Sequence, residues 1–230
     1  MRFFAEAFYQ ACQLIIGFDS DLLIIVWTSL TVSSAATLSA ALVGVPVGLT
    51  VAMNDFRGKQ PLLLILNTLM ALPTVVVGLF FYGLLSRSGP LGDLGLLFTR
   101  TGITAGLFVL ALPMIANLTI AAIRGLDSRV FLTCKLLGAT PVQQAGMVLM
   151  EARFAVIAAI VVGFGRVISE VGIAMMLGGN IKGFTRTMTT AIALETSKGE
   201  FELGLALGMV LLSVALAVNA ALFILQREEK

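Results

Sequence analysis

Long stretches without charge are the feature that most constrains this chain. Four of them contain no Asp, Glu, Lys or Arg: Leu22–Asn54, Gln60–Ser86, Thr101–Ile123 and Leu203–Gln226. Each exceeds the roughly 20 residues that a helix needs to cross about 30 Å of hydrocarbon. Charged residues make up 12% of the sequence and apolar residues 58%, whereas a soluble domain has about 25% charged residues. The sequence therefore predicts an integral membrane protein.

A fifth apolar segment, Ala152–Met176, carries Arg166 and Glu170 in its interior. We therefore predict an all-α, polytopic bundle of about five transmembrane helices. Three of the charge-free runs contain a proline well inside the run, which removes a helix hydrogen bond, and we expect bends there. These prolines are Pro46, Pro73 and Pro113.

Five spans place the two chain ends on opposite sides of the membrane. We predict an interfacial helix over residues 1–21, a transmembrane domain over 22–226 and a short tail over 227–230. Eight basic residues fall on the side of the tail: Arg57, Lys59, Arg124, Arg129, Lys135, Arg153, Arg227 and Lys230. Six fall on the other side: Arg2, Arg87, Arg100, Lys182, Arg186 and Lys198. Because basic residues favour the cytoplasm, we predict an external N-terminus and a cytoplasmic C-terminus.

The polar connection between the third and fourth spans has the pattern of two short helices around a break. Val130–Leu137 and Val142–Met150 suit helices. Gly138 can adopt the positive φ of a helix end. Thr140 suits an N-cap, and Pro141 suits the first position of the next helix.

This connection, residues 125–151, is too polar to span the membrane and too long for a simple turn. One interpretation is a protruding element that transmits force from a partner protein. The other is an amphipathic connector that lies on the bilayer. The residue pattern alone leaves both open.

The charged residues of the fifth segment are four positions apart, so Arg166 and Glu170 share one helix face. An isolated charge in the middle of the bilayer costs about 2.5–3.5 kcal/mol on insertion scales. The pair therefore predicts a salt bridge that fixes helix packing, a pair near the outer interface, or a site that borders a translocation path.

Residues 178–202 form the longest loop predicted on the outer side. Lys182 and Arg186, with exposed backbone N–H groups, could attract an anion, and Asn180 and Thr185 lie in the same stretch. The alternative is a re-entrant or docking loop whose charges contact a binding protein or lipid headgroups.

A family resemblance supports the first interpretation of the connection. Lys135-Leu-Leu-Gly-Ala-Thr-Pro141 resembles the cytoplasmic coupling segment of ATP-binding-cassette importer permeases, although Leu132-Thr133-Cys134 stands where that family has Glu-Ala-Ala. The resemblance implies that residues 132–144 sit in a groove on a separate ATPase subunit. The residues it assigns to ATPase coupling are Leu132, Lys135, Gly138, Ala139, Thr140 and Pro141.

The second half of the chain resembles one group of these permeases. Gly165-Arg-Val-Ile-Ser-Glu-Val-Gly172 and Gly178-Gly-Asn-Ile-Lys-Gly-Phe-Thr-Arg-Thr187 are similar to elements of sulfate, molybdate and tungstate permeases, most of all the tungstate type. This implies a type I importer fold and a permease subunit that moves an oxyanion across the inner membrane by alternating access. It also implies three partners: an ATPase dimer, an external binding protein and a second copy of this chain.

Several motifs are absent from the sequence. It has no Gly-x-x-x-x-Gly-Lys-Ser/Thr phosphate loop, so we expect ATP hydrolysis on a partner rather than on this chain. It has no histidine, and we predict no cofactor or metal. Two other functions stay open: an ion-coupled secondary carrier that uses Arg166 and Glu170, and a membrane scaffold that transports nothing.

Overall fold

The computed structural model describes residues 8–9, 12–13, 15–17 and 19–227, with side chains described through residue 224. Within these residues the protein is helical and contains no strand. The predicted interfacial helix over 1–21 and the tail over 227–230 lie largely outside the described residues, so both stay predictions.

Ten α-helices and one 3₁₀ turn (Gly92–Leu94) occupy residues 19–227. The helices are α1 Ser20–Met53, α2 Lys59–Met70, α3 Thr74–Leu85, α4 Arg100–Arg124, α5 Ser128–Leu136, α6 Pro141–Glu151, α7 Arg153–Ile168, α8 Gly172–Gly178, α9 Met188–Lys198 and α10 Phe201–Arg227. Helices α1, α4 and α10 are long and apolar enough to cross a membrane. Counting each of the bent pairs α2–α3 and α6–α7 as one span gives up to five. This number agrees with the prediction, although the second pair begins at Pro141, inside the predicted polar connection, rather than at Ala152.

Two of the predicted spans are not continuous helices. Gln60–Ser86 is divided into α2 and α3, which meet at 98°. Pro73 immediately precedes α3, and its missing N–H and its ring both disfavour an unbroken helix there. Ala152–Met176 is interrupted after Ile168, before α8 begins. By contrast, Pro46 and Pro113 lie inside α1 and α4, which continue past them.

Close backbone packing between α1 and α4 forms the centre of the bundle. A Cβ atom placed on Gly44 would lie 3.2 Å from the Leu112 carbonyl oxygen, and one placed on Gly48 would lie 2.7 Å from that of Ala116. Small residues permit such close approach between membrane helices. The short helix α8 inserts its fully buried Ile173 into the same core.

We predict that Gly48→Val destabilises the protein, because the added side chain would overlap the backbone of α4. Overpacking of this kind costs about 1–3 kcal/mol. The thermal unfolding midpoint in detergent should fall accordingly. Gly208→Val is the control, since Gly208 in α10 has open space around its Cα. Equal midpoints for the two variants would contradict this account of the α1–α4 contact.

Candidate functional site

The connection between α4 and α7 has the local structure that its sequence predicts. Helix α5 ends before Gly138, whose φ is +70°. The Thr140 hydroxyl accepts a hydrogen bond from the Gln143 N–H, and the Gln143 side chain accepts one from the Thr140 N–H. Pro141 is the first residue of α6. This capping box satisfies N–H groups at the start of α6, so the helix–glycine–cap–proline–helix prediction is confirmed.

One side of this α5–α6 element packs against α4 and α7, and the other side is exposed. Cys134 and Val148 are buried, and Val148 packs with Ile123 of α4 and Val156 of α7. The exposed side is apolar at its tip: Leu132 is 57% exposed, Leu136 78%, Leu137 79% and Val142 82%. A fixed element with an apolar tip outside the bundle fits a surface that a partner covers.

Arg166 and Glu170 form an ion pair, with 2.9 Å between the Arg166 Nη1 and the Glu170 Oε2. The Glu170 side chain is 4% exposed and that of Arg166 is 40% exposed. The other Glu170 oxygen, Oε1, accepts hydrogen bonds from the N–H groups of Gly172 and Ile173. Glu170 therefore has partners for both carboxylate oxygens, whereas part of the guanidinium reaches the surface.

The backbone around Glu170 also fixes the start of α9. The Thr189 hydroxyl donates to the Glu170 carbonyl at 2.8 Å. The Met188 N–H donates to the Ser29 Oγ of α1 at 2.6 Å, and all of these groups are buried. The N-terminus of α9 is thus held between α1 and the α7–α8 junction.

We predict that Ser29→Ala lowers the stability of the protein, because it leaves the buried Met188 N–H without its partner. An unsatisfied buried donor costs about 1–3 kcal/mol. Ser39→Ala is a matched control: the Ser39 hydroxyl bonds only carbonyls of its own helix, those of Ala35 and Ala36. Thermal unfolding in detergent measures both. If Ser29→Ala lowers the unfolding temperature no more than Ser39→Ala does, the Ser29–Met188 hydrogen bond does not stabilise the protein.

The predicted outer loop is a folded element rather than an open loop, since α9 lies within it. Glu195 of α9 is buried and is joined by two cations, Arg186 at 3.6 Å and Lys198 at 3.2 Å. Lys182 pairs with Asp21 of α1 at 2.6 Å. These five residues line a cavity of about 310 Å³. In the described part of the chain, no three Cys, Asp or Glu residues come close enough to hold a metal.

The other two residues singled out in this loop shape its backbone. The Thr185 hydroxyl donates to the Gly178 carbonyl and accepts from the Ile181 N–H. The Asn180 side chain donates to the Thr190 carbonyl. The structure thus gives Thr185 and Asn180 internal partners, and it pairs Lys182 and Arg186 with carboxylates. Their contact with an anion or a binding protein stays a prediction.

Sequence reasoning missed three residues of this region. Ser29 and Asp21 lie on α1, far in sequence from their partners, and nothing in the local pattern identifies them. Glu195 belongs to an acidic group, with Glu200 and Glu202, that reads as a solvated surface, yet it is buried. The one available signal was the spacing of Glu195 and Lys198, which puts them on one helix face.

Comparison with known proteins gives a family match over most of the chain. Residues 44–229 match the family described as binding-protein-dependent transport system inner membrane component. The tungstate uptake system permease protein TupB of Peptoclostridium acidaminophilum is 39% identical over 99% of this chain and 100% of its own length. The protein of the same name from Campylobacter jejuni is 40% identical over 93% of this chain and 90% of its own length.

Solved structures with the same fold are more distant in sequence. A chain of the inward-facing MetNI methionine ABC transporter superposes with a TM-score of 0.77 at 17% identity, over 93% of this chain and 98% of that one. A chain of a bacterial alginate ABC transporter, in complex with an alginate pentasaccharide-bound periplasmic protein, gives 0.76 at 18% identity over 94% and 82%. At this level of identity the likeness establishes the fold, and the predicted importer-permease fold is confirmed.

Proposed function

The chain belongs to the family of binding-protein-dependent transport system inner membrane components, and from this we propose that it is the permease subunit of an ATP-binding-cassette importer for tungstate. The cargo is supported by the two tungstate permeases, which match nearly the whole chain at 39% and 40% identity. The protein then resides in the inner membrane as a multi-pass subunit. It supplies contacts that differ between conformations rather than chemistry.

The observation that carries the ATP-driven mechanism is the exposed apolar tip of the α5–α6 element. Leu136, Leu137 and Val142 are each more than three-quarters exposed, while α5–α6 is anchored to α4 and α7 beneath them. Such a surface suits a groove on a separate ATPase subunit. The surface includes the residues assigned to ATPase coupling: Leu132, Lys135, Gly138, Ala139, Thr140 and Pro141. Movement of that subunit would be passed to α4 and α7.

Two copies of the chain around a central path complete the proposed assembly. Two-fold symmetry presents two α5–α6 elements to two ATPase subunits. An external binding protein delivers the anion, as the periplasmic protein seen with the alginate transporter suggests. In this arrangement α5–α6 faces the cytoplasm and the element holding α9 faces outward.

The orientation is tested by a cysteine placed on the tip, because the native Cys134 is buried and labels poorly wherever it lies. Leu136→Cys, in a background without Cys12 and Cys134, should react with a membrane-impermeant maleimide only after the cells are opened. Labelling in intact cells would place α5–α6 outside and overturn the coupling proposal.

Transport itself is tested by reconstituting the chain with its ATPase and binding protein in liposomes and measuring tungstate uptake. We expect uptake to require ATP, the binding protein and an ATPase able to hydrolyse ATP. Uptake that survives without ATP and collapses with an uncoupler would favour the ion-coupled carrier. A complex that assembles fully but moves no tungstate, molybdate or sulfate would favour a scaffold.

A further inference from the structure

Arg166 carries a charge in the last turn of α7, within a segment predicted to span the membrane. Helix α7 begins at Arg153, and a rise of 1.5 Å per residue puts Arg166 about 20 Å along its axis. At 40% exposure, the guanidinium is not enclosed by its own subunit. Charged side chains inside membrane spans face a bundle interior or a water-filled cavity rather than lipid. The exposed part of Arg166 therefore faces water or another subunit.

The face of α7 around Arg166 is open within the subunit. Its exposed residues Val162, Gly165 and Ser169 are spaced by three and four positions, so they share one side of the helix. Gly165 and Ser169 have small side chains, and Val162 is the one apolar side chain of the three. Added volume at Gly165 would meet open space within the subunit.

We propose that the guanidinium of Arg166 contacts the transported oxyanion during its passage, and that the Val162–Ser169 face of α7 lines the path. This inference rests on the proposed function. Arg carries five N–H donors in a planar fork that matches oxyanions. Glu170 engages one end of that fork through Nη1, so other N–H donors remain for an oxyanion.

Glu170 lowers the affinity of Arg166 for the anion to a range that permits release. A path site must bind strongly enough to admit the ion and weakly enough to release it. The Glu170 carboxylate lies 2.9 Å from the guanidinium and offsets its charge, so a divalent anion meets donors without a net positive site. Glu170 is a positioning residue: its Oε1 is fixed by the backbone of α8, which holds Arg166 towards the path.

The test separates this role from simple charge pairing. In liposomes with the ATPase and tungstate-loaded binding protein, ATP hydrolysis and tungstate uptake are measured together. The double variant Arg166→Gln/Glu170→Gln leaves no unpaired charge. If the pair had only a structural role, uptake by this variant would be close to that of the unaltered complex. We expect instead that stimulated ATP hydrolysis stays within about twofold while uptake falls at least about tenfold. Uptake within about twofold would overturn the proposal.

A second variant decides the matter if the double variant fails to assemble. Gly165→Leu adds bulk to the exposed face of α7, and Gly208→Leu adds the same bulk at an open position of α10. We expect at least about tenfold slower uptake for Gly165→Leu alone, and equal uptake by the two variants would overturn the proposal. Failure of the unaltered complex to move tungstate would contradict the proposed function itself, so the two failures are distinguishable.

Discussion

Aspartate at both Leu137 and Val142 is expected to abolish copurification of the ATPase and to lower tungstate uptake about 100-fold, because a few buried apolar anchors carry most of an interface's binding energy. These side chains are 79% and 82% exposed in the permease alone. The substitutions therefore place charge in the proposed interface without disturbing the subunit's own core. The measurements are copurification on an affinity-tagged permease and uptake in liposomes.

Phe56→Asp is the control for this experiment. Phe56 is an exposed apolar residue, 42% exposed, in the segment between α1 and α2, on the same predicted side of the membrane but outside the α5–α6 element. We expect normal copurification and uptake from it. Retention of the ATPase by the double aspartate variant would disprove the assignment of the tip as the docking surface.

Glu195→Leu is expected to cause the largest loss of stability of any single change considered for the predicted outer face. Glu195 is 4% exposed and Arg186 14% exposed at the side chain, so removing the carboxylate leaves a nearly buried cation without its counter-charge. Breaking a buried pair in this way costs about 3–5 kcal/mol. Thermal unfolding of the purified protein in detergent measures the effect.

The same substitution at Glu200 provides the comparison. Glu200 lines the same cavity but is exposed, and surface substitutions of this kind change stability by about 0.5 kcal/mol or less. If the Glu195→Leu and Glu200→Leu variants unfold at the same temperature, Glu195 does not organise the fold of residues 178–202.

Sequence patterns predict the parts of this fold that depend only on residues close together in the chain. Gly138, Thr140 and Pro141 specify a helix end, a cap and a helix start within four residues, and the structure has all three. The charge-free runs predict α1, α4 and α10 because burial in lipid requires uninterrupted apolar helices. The spacing of Arg166 and Glu170 likewise predicts their ion pair.

Features that depend on contacts between distant segments could not be predicted. Pro46 and Pro73 both lie inside charge-free runs, yet α1 continues past Pro46, whereas Pro73 separates α2 from α3. The Ser29–Met188 bond joins α1 to α9, and the Lys182–Asp21 ion pair joins α1 to residues 178–202. No periodicity in one segment encodes such partners.

The contact at Gly44 and Gly48 determines which parts of the subunit can move. Helices whose backbones touch cannot slide past one another without steric overlap, so α1 and α4 must travel as a single rigid body. Displacement during a transport cycle is then left to the joints where helices already break, which lie before Thr74, at Ala152 and after Ile168. The joint after Ile168 carries Glu170, so a swing of α7 against α8 would turn Arg166 as well.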